Sequence, residues 1–204
     1  MEIDFSDLSP SQVYSTVIQT LVPRPIAWVL SENKNQSYNL APFSYFNAVS
    51  SDPPVVMMSL GRQADGSKKD THINIESRKH FVIHIPAADQ VDDVNASSAT
   101  LGNEISEVDE YNIQTTPFKG SVLPRITGCP VAFYCELFDI IEVGNTPMTM
   151  ILGEIKAAYI SDNILDESEQ NKLRVNTKKM DPLGRLGGPS YISIGDIITR
   201  KRPA

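Results

Sequence analysis

Two apolar segments lie close together in the first third of the chain, on either side of a turn of small polar residues and prolines. The first runs from Leu40 to Val49 and the second from Val55 to Leu60, and their composition favours strands. The intervening Ser50 to Pro54 ends in a double proline, which fixes φ and removes two backbone donors. The chain must therefore reverse or cross over there, and the pattern predicts a strand pair at residues 40–60.

Hydrophobic periodicity predicts further helices and strands. Ser9 to Gln12 has the spacing of a capping box, with proline at the first helical position, and predicts a helix to about Gln19. The other predicted helices are Thr71 to Lys79, residues 88–98 and Glu167 to Val175, and the acidic stretch 99–114 is predicted to be a surface excursion with one helical turn. The other predicted strands are Ile26 to Leu30, His80 to Ile85, Val131 to Glu142 and Met148 to Ile160, the last two joined by a hairpin turn at Gly144 to Pro147.

The predicted strands follow one another through turns and hairpins, without a regular alternation of strand and helix. That order favours a mainly β fold, an antiparallel barrel of about six strands with attached helices, over a doubly wound sheet. Neither Gly-x-Gly-x-x-Gly nor a Gly-Lys-Ser/Thr phosphate loop occurs, so the two commonest nucleotide-binding folds lose support. Because the chain has no repeat, low-complexity block or linker, residues 1–204 are predicted to form a single domain.

The formal charge of −7, from 18 basic and 25 acidic residues, argues against a general affinity for nucleic acid or anionic membranes. No apolar run approaches the length of a membrane-spanning helix, and the first residues lack the pattern of a signal peptide. Cys129 and Cys135 lie in one predicted strand at a separation of about 20 Å, which is too far for a disulfide. These features predict a cytoplasmic protein with reduced thiols.

A local excess of basic residues stands out against this acidic background, between Arg62 and Lys79. Asp70 is predicted to be the N-cap of the following helix, so free N–H groups beside Lys68 and Lys69 would form an anion site. The small residues Asn47 to Ser50 would let a planar ligand approach their backbone closely. The two features suggest a nucleotide-like cofactor site, although an ordinary strand pair and a solvated lysine loop would give the same pattern.

Other kinds of chemistry find less support. His80 and His84 have the helical spacing of a metal pair, but they lie in a strand pattern and no cysteine or carboxylate cluster completes a ligand set, so no metal site is predicted. No Gly-x-Ser-x-Gly motif marks a nucleophile, and no residue is assigned as a catalytic acid or base. Arg185 beside Gly187-Gly188 would suit the edge of a ligand, and equally an ordinary glycine turn.

Four segments carry a resemblance to a known family: Leu21 to Ala27, Asn39 to Pro54, Lys69-Asp70-Thr71 and Arg185-Leu186-Gly187-Gly188, with support from Leu123-Pro124-Arg125 and Cys129 to Phe133. Together they resemble the flavin reductase-like, FMN-binding split-barrel family, over residues 20–195. The resemblance implies an antiparallel, Greek-key-like split β-barrel. It also implies a homodimer with FMN near the subunit interface.

The resemblance also implies roles for individual residues. Asn47, Ala48, Val49, Ser50 and Ser51 would lie against the isoalloxazine ring, and Lys69, Asp70 and Thr71 would approach the ribityl phosphate. Asn95, Ser97 and Ser98 fall in a small polar segment near the flavin, and Arg24 and Arg185 would be edge or entrance contacts. None of these residues is assigned an acid or base role.

The function that follows is hydride transfer from NADH or NADPH to FMN. The alternative is an electron carrier that holds FMN and exchanges electrons with a redox protein partner. Shorter members of the superfamily carry a Gly-Asp-His that is associated with nicotinamide use. Here Gly187 to Tyr191 contains no histidine, which resembles the flavoredoxin-like branch and leaves the electron donor open. No nucleic-acid or membrane partner is expected.

Overall fold

The computed structural model describes residues 1–145, 148–166, 173–201 and 203. The strands are β1 (Arg24–Pro25), β2 (Ala27–Glu32), β3 (Tyr38–Phe43), β4 (Phe46–Ser51), β5 (Pro54–Leu60), β6 (His80–Ile85), β7 (Thr115–Thr116), β8 (Arg125–Ile126), β9 (Val131–Val143), β10 (Met148–Ile160), β11 (Gly184–Arg185) and β12 (Tyr191–Ile192). The α-helices are α1 (Pro10–Thr20), α2 (Asp70–Arg78), α3 (Val91–Ala96), α4 (Glu107–Glu110) and α5 (Thr177–Met180). Turns of 3₁₀ helix lie at Phe5–Asp7, Ala88–Gln90 and Asp162–Ile164.

A seven-stranded antiparallel sheet, in the order β3-β2-β6-β9-β10-β5-β4, organises the molecule. Its two edge strands, β3 and β4, are consecutive in the chain and only Ser44 and Tyr45 separate them. So short a link can join opposite edges only if the sheet curls round on itself. The sheet is therefore a barrel that is split between β3 and β4, and the predicted antiparallel barrel with attached helices is confirmed.

Both faces of strand β2 are buried, because the barrel has one hydrophobic core inside and a second one outside. Ala27 and Val29 point into the interior cluster with Phe81 and Ile151. Trp28, which lies between them, points outward into the cluster that the loops and short helices cover. Strands buried on two sides read as continuous apolar runs, as Ile26 to Leu30 does.

A local capping signal correctly predicted the start of the first helix. Both bonds of the capping box at Ser9 form: the Gln12 N–H donates to Ser9 Oγ, and the Ser9 N–H donates to Gln12 Oε1 at 2.9 Å. The second helix starts one residue earlier than predicted. Lys69, not Asp70, is its N-cap, and Asp70 lies in the first turn, where its charge still favours the helix dipole.

The prediction that residues 99–114 lie on the surface is wrong for the part of this stretch that contains α4. Ser106, Glu107, Val108 and Ile113 are buried, because α4 packs against β3. The expectation that Cys129 lies within a strand is also wrong, since β9 begins at Val131.

Both cysteines are free and buried, and burial raises the pKa of the Cys129 thiol to about 12.

Of the predicted helix Glu167 to Val175, residues 167–172 lie outside the described residues, and Val175 forms an isolated β-bridge with Leu165 instead. Thr146 and Pro147 of the predicted hairpin turn also lie outside them, although β9 and β10 pair as expected. Within the described residues, no helix is both long and apolar enough to span a bilayer.

Candidate functional site

A cleft of about 420 Å³ opens beside the split in the barrel. One part of its lining comes from β3 and a second part from the loop between β5 and α2. The start of α2, the segment that follows α3, and α4 complete it. The lining residues are Asn39, Ala41, Pro42, Phe43, Arg62, Gln63, Ala64, Asp65, Lys69, Asp70, Thr71, Ser97, Ser98, Ala99, Thr100, Leu101 and Glu107.

A buried polar network fixes the start of α2 against the sheet. The Asn39 side-chain amide donates to Thr71 Oγ1 at 2.9 Å and to Ser31 Oγ at 3.2 Å. Asn74, one turn along α2, donates to the same Ser31 hydroxyl and to Asn33 Oδ1. Because these groups are buried and mutually bonded, they hold the helix in one position on β2 and β3. The N-terminus of α2, with its unpaired backbone N–H groups, is thereby directed at the cleft.

Two cations line the cleft, Arg62 and Lys69. Arg62 Nη2 bonds to Glu142 Oε1 at 3.0 Å, which orients the guanidinium. Its Nε is a buried donor for which the described residues provide no acceptor. A buried donor without a partner is costly, so an acceptor from outside the chain would stabilise it. An anionic oxygen in the cleft meets that requirement.

Three carboxyl groups also line the cleft, those of Asp65, Asp70 and Glu107. Burial raises the pKa of Asp70, and the charge of Glu104 raises it further. Burial likewise raises the pKa of Glu107, whose Oε2 accepts a hydrogen bond from the Leu40 N–H at 2.9 Å. The cleft therefore combines cationic and acidic groups, and it is not a uniform anion cradle.

Ser97 and Ser98 follow α3 and bring a short polar segment to the cleft. Ser97 is buried, and its hydroxyl accepts from Trp28 Nε1 at 2.9 Å and donates to the Val94 carbonyl at 3.2 Å. These two bonds tie the segment to the outer core, and they use the only proton that the hydroxyl can donate. The Ser98 hydroxyl donates to the Asn95 carbonyl at 2.6 Å and is exposed.

The fold of the chain is similar to that of known proteins. A family model described as the flavin reductase like domain matches residues 19–183. The chain belongs to the flavin reductase-like family. Among solved structures, the 2-nitrobenzoate 2-nitroreductase NbaA of Pseudomonas fluorescens is 33% identical with a TM-score of 0.88, and the match covers 100% of this chain and 96% of that one.

Two further structures show how widely the fold extends. Nitrilotriacetate monooxygenase component B from Bacillus cereus is 25% identical with a TM-score of 0.90, over 98% of both chains. Flavoredoxin of Desulfovibrio vulgaris (Miyazaki F) shares the fold at 19% identity, with a TM-score of 0.76, over 98% of this chain and 97% of that one. The resemblance stated from the sequence segments is thus confirmed at the level of the family and its split-barrel fold.

Of the residues predicted for a flavin reductase-like site, five line the cleft together: Lys69, Asp70, Thr71, Ser97 and Ser98. The predicted ring segment, Asn47 to Ser51, lies elsewhere, on the edge strand β4. It is exposed, and one side of its backbone pairs with β5 while the other side is an open sheet edge. A register shift between Ala48 and Ser50 makes Val49 a bulge. Bulged open edges leave backbone N–H and C=O groups free for a ligand.

The Arg24 side chain connects two segments of the fold. Only 5% of it is exposed, and its guanidinium donates to the carbonyls of Ile18, Leu21 and Leu186 at 2.6, 2.7 and 3.0 Å. These bonds fasten the end of α1 to the segment after β11. Its predicted role as an edge contact remains a prediction, and its donors are already engaged.

Arg185 and Asn95 also lie away from the cleft lining. Arg185 Nη2 donates to the Gly188 carbonyl at 2.6 Å, and its guanidinium stacks over the Tyr191 ring at 4.4 Å. The Tyr191 hydroxyl donates to Asn95 Oδ1 at 3.3 Å. These contacts connect the C-terminal segment to the end of α3, so a role toward a ligand stays a prediction for both residues.

Several polar residues of the cleft were not predicted as site residues, among them Arg62, Asn39 and Glu107. Arg62 carried a signal, because it belongs to the local basic excess. Asn39 lies within the Asn39 to Pro54 segment that carried the family resemblance. Glu107 gave no signal in the sequence, because an acidic residue in an acidic stretch has the pattern of a solvated surface.

Proposed function

We propose that this flavin reductase-like protein binds FMN and transfers a hydride from NADH or NADPH to it. The observation that carries the proposal is the buried Nε of Arg62, a donor without an acceptor among the described residues, in a cleft that also holds Lys69 and the start of α2. All three features favour an anionic group, and a phosphate satisfies them together. Arg62, Lys69 and Thr71 would hold that phosphate.

The chain has a binding task rather than a proton-transfer task in this function. When bound, the flavin supplies the redox chemistry, because it takes up the hydride that the nicotinamide gives. The backbone of Asn47 to Ser51, on the open edge of β4, would support the ring. No side chain needs to act as an acid or base, which agrees with the absence of a nucleophile motif in the sequence.

The test is anaerobic addition of NADH, and separately of NADPH, to the FMN-loaded protein. We expect the visible flavin absorbance to bleach with at least one nucleotide. A flavin that stays oxidised with both, but is reduced by a redox protein, would replace this proposal with the electron-carrier function. A chain that binds no FMN would overturn both. Because NbaA is named as a 2-nitrobenzoate reductase, that nitroaromatic acid is a rational first acceptor to add after reduction.

We also propose that the protein is a homodimer, because the outer face of β9, β10 and β5 carries a cluster of apolar side chains. Ile151 and Met58 point into the core, so their neighbours along each strand point outward. The apolar members of the outward set are Met57, Ile141, Val143, Met150 and Leu152, with Ser59 and Asp139 beside them. Ile141 and Val143 are exposed. This face continues to Asn47, which pairs with Met57.

A second copy of the chain is the occupant that suits this face, since it would cover the apolar strands beside the proposed ring segment. Sedimentation equilibrium should give a mass of twice 22.5 kDa. Substitution of Ile141 by Asp should shift the protein toward the monomer, because a buried unpaired charge opposes association. A wild-type protein that sediments at 22.5 kDa would contradict the dimer.

A further inference from the structure

Glu107 differs from the other charged residues of the cleft in burial and in partners. Only 6% of it is exposed, and it reaches the cleft from α4, whereas Arg62 and Lys69 reach it from the loop between β5 and α2. The cleft therefore receives its buried carboxyl group and its cations from separate elements. A ligand that fills it meets chemically different groups at different places.

The hydrogen bonding of Glu107 is incomplete. Its Oε2 accepts the Leu40 N–H, and among the described residues no side chain donates to either oxygen. Buried carboxyl groups are usually paired with a cation or with several donors, because desolvation of the charge is costly. A carboxyl whose described partners are backbone N–H groups, at the surface of a cleft, has acceptor capacity left for a ligand donor.

We propose that Glu107 accepts a hydrogen bond from a hydroxyl group of the bound ligand, next to the phosphate that Arg62 and Lys69 hold. The inference rests on the proposed function and adds a specificity-determining contact to it, between Glu107 and a hydroxyl of the ribityl chain. An ionised phosphate has no proton to donate and is repelled by the carboxylates of Glu107 and Asp70. A hydroxyl can donate, so Glu107 would recognise the polyol chain and neither the phosphate nor the ring.

Three flavins separate these contacts: FMN has both phosphate and ribityl chain, riboflavin has only the chain, and lumiflavin has neither. Their dissociation constants are measured by flavin fluorescence for the wild type, Glu107→Gln and Lys69→Ala. For Glu107→Gln we expect riboflavin affinity to fall about tenfold, because a charged acceptor is replaced by a neutral one. Lumiflavin affinity should not change. For Lys69→Ala we expect FMN affinity to fall and riboflavin affinity to stay the same.

In Glu107→Gln the side-chain amide oxygen can still accept the Leu40 N–H, so the fold should survive, and thermal unfolding checks this. Glu110→Gln is the matched control, because Glu110 is an exposed carboxylate of the same helix α4 outside the cleft lining. Unchanged riboflavin affinity in Glu107→Gln would overturn the inference, and so would an equal loss for lumiflavin. Neither result would touch the proposed function, which fails only if the wild-type protein binds no FMN or does not reduce it.

Discussion

The folded protein should lose stability as the pH falls from about 6.5 to about 4, because His84 must stay neutral in the fold. His84 is completely buried. Its Nε2 accepts the Ile126 N–H at 2.9 Å, so its proton is on Nδ1 and is donated to the Trp28 carbonyl at 3.0 Å. A protonated ring would place an N–H against the Ile126 N–H. Protonation therefore breaks the bond that ties β8 to β6.

The sign of the effect follows from the pKa. Burial lowers the pKa of His84 to about 4 from an ordinary 6.5, so the unfolded state binds more protons between these values. The stability contribution is fully present above pH 6.5 and is lost as the pH falls toward 4. The difference of pKa corresponds to roughly 3 kcal/mol. That is a large part of the stability of a typical domain.

The measurement is the free energy of unfolding in urea at several pH values, for the wild type and for His84→Gln. The variant should be less stable at pH 7.5 by about 2–4 kcal/mol, since it disturbs two buried hydrogen bonds, and its stability should depend less on pH. His80→Gln, at the start of the same strand β6, is the matched control. An unchanged pH slope in His84→Gln would contradict the assignment.

Other buried groups also make the free energy of unfolding depend on pH, so the wild type must be compared with the His84→Gln variant. His72 also has a lowered pKa, because it is buried and lies near Lys68, and its effect has the same sign as that of His84. Burial raises the pKa of Asp70 and Glu107, and the effect of these carboxyl groups on stability has the opposite sign to that of the histidines. Stability falls as the pH rises through the folded pKa of a carboxyl group whose pKa is raised. The difference between wild type and His84→Gln isolates the one histidine.

The elements that were predicted correctly have signals that act over a few residues. The capping box at Ser9 fixes the start of α1, and alternating apolar residues fix β9 and β10. In each case, the residues that make the interaction are close in sequence, so the pattern contains the physical cause.

The features that could not be predicted depend on contacts across the chain. The carboxyl of Glu107 is buried because its partner is the backbone of Leu40, 67 residues away. Arg24 is engaged by a carbonyl 162 residues away, at Leu186. Nothing near either residue indicates such a partner, so an acidic surface stretch was expected at Glu107 and the bond from Arg24 to Leu186 was not anticipated. The cleft itself exists only once β3, α2 and α4 are packed.

The largest expected effect on ligand binding comes from Arg62→Ala. FMN affinity should fall about 10- to 100-fold, because the variant removes both a cation and the buried Nε donor that has no acceptor in the described chain. Riboflavin affinity should change little, since it has no phosphate. Fluorescence titration of both flavins at low and high salt measures this. The salt dependence of FMN binding should be weaker in the variant.

Arg78→Ala is the matched control, because Arg78 lies on α2 and bonds to the Asn33 carbonyl outside the cleft lining. Equal losses of FMN and riboflavin in Arg62→Ala would mean that Arg62 supports the cleft wall, through Glu142, rather than the phosphate. A double variant with Lys69→Ala decides how the phosphate is held. If both cations contact it, each single variant loses FMN affinity and their coupling free energy differs from zero, whereas full FMN affinity in Lys69→Ala would place the phosphate against Arg62 alone.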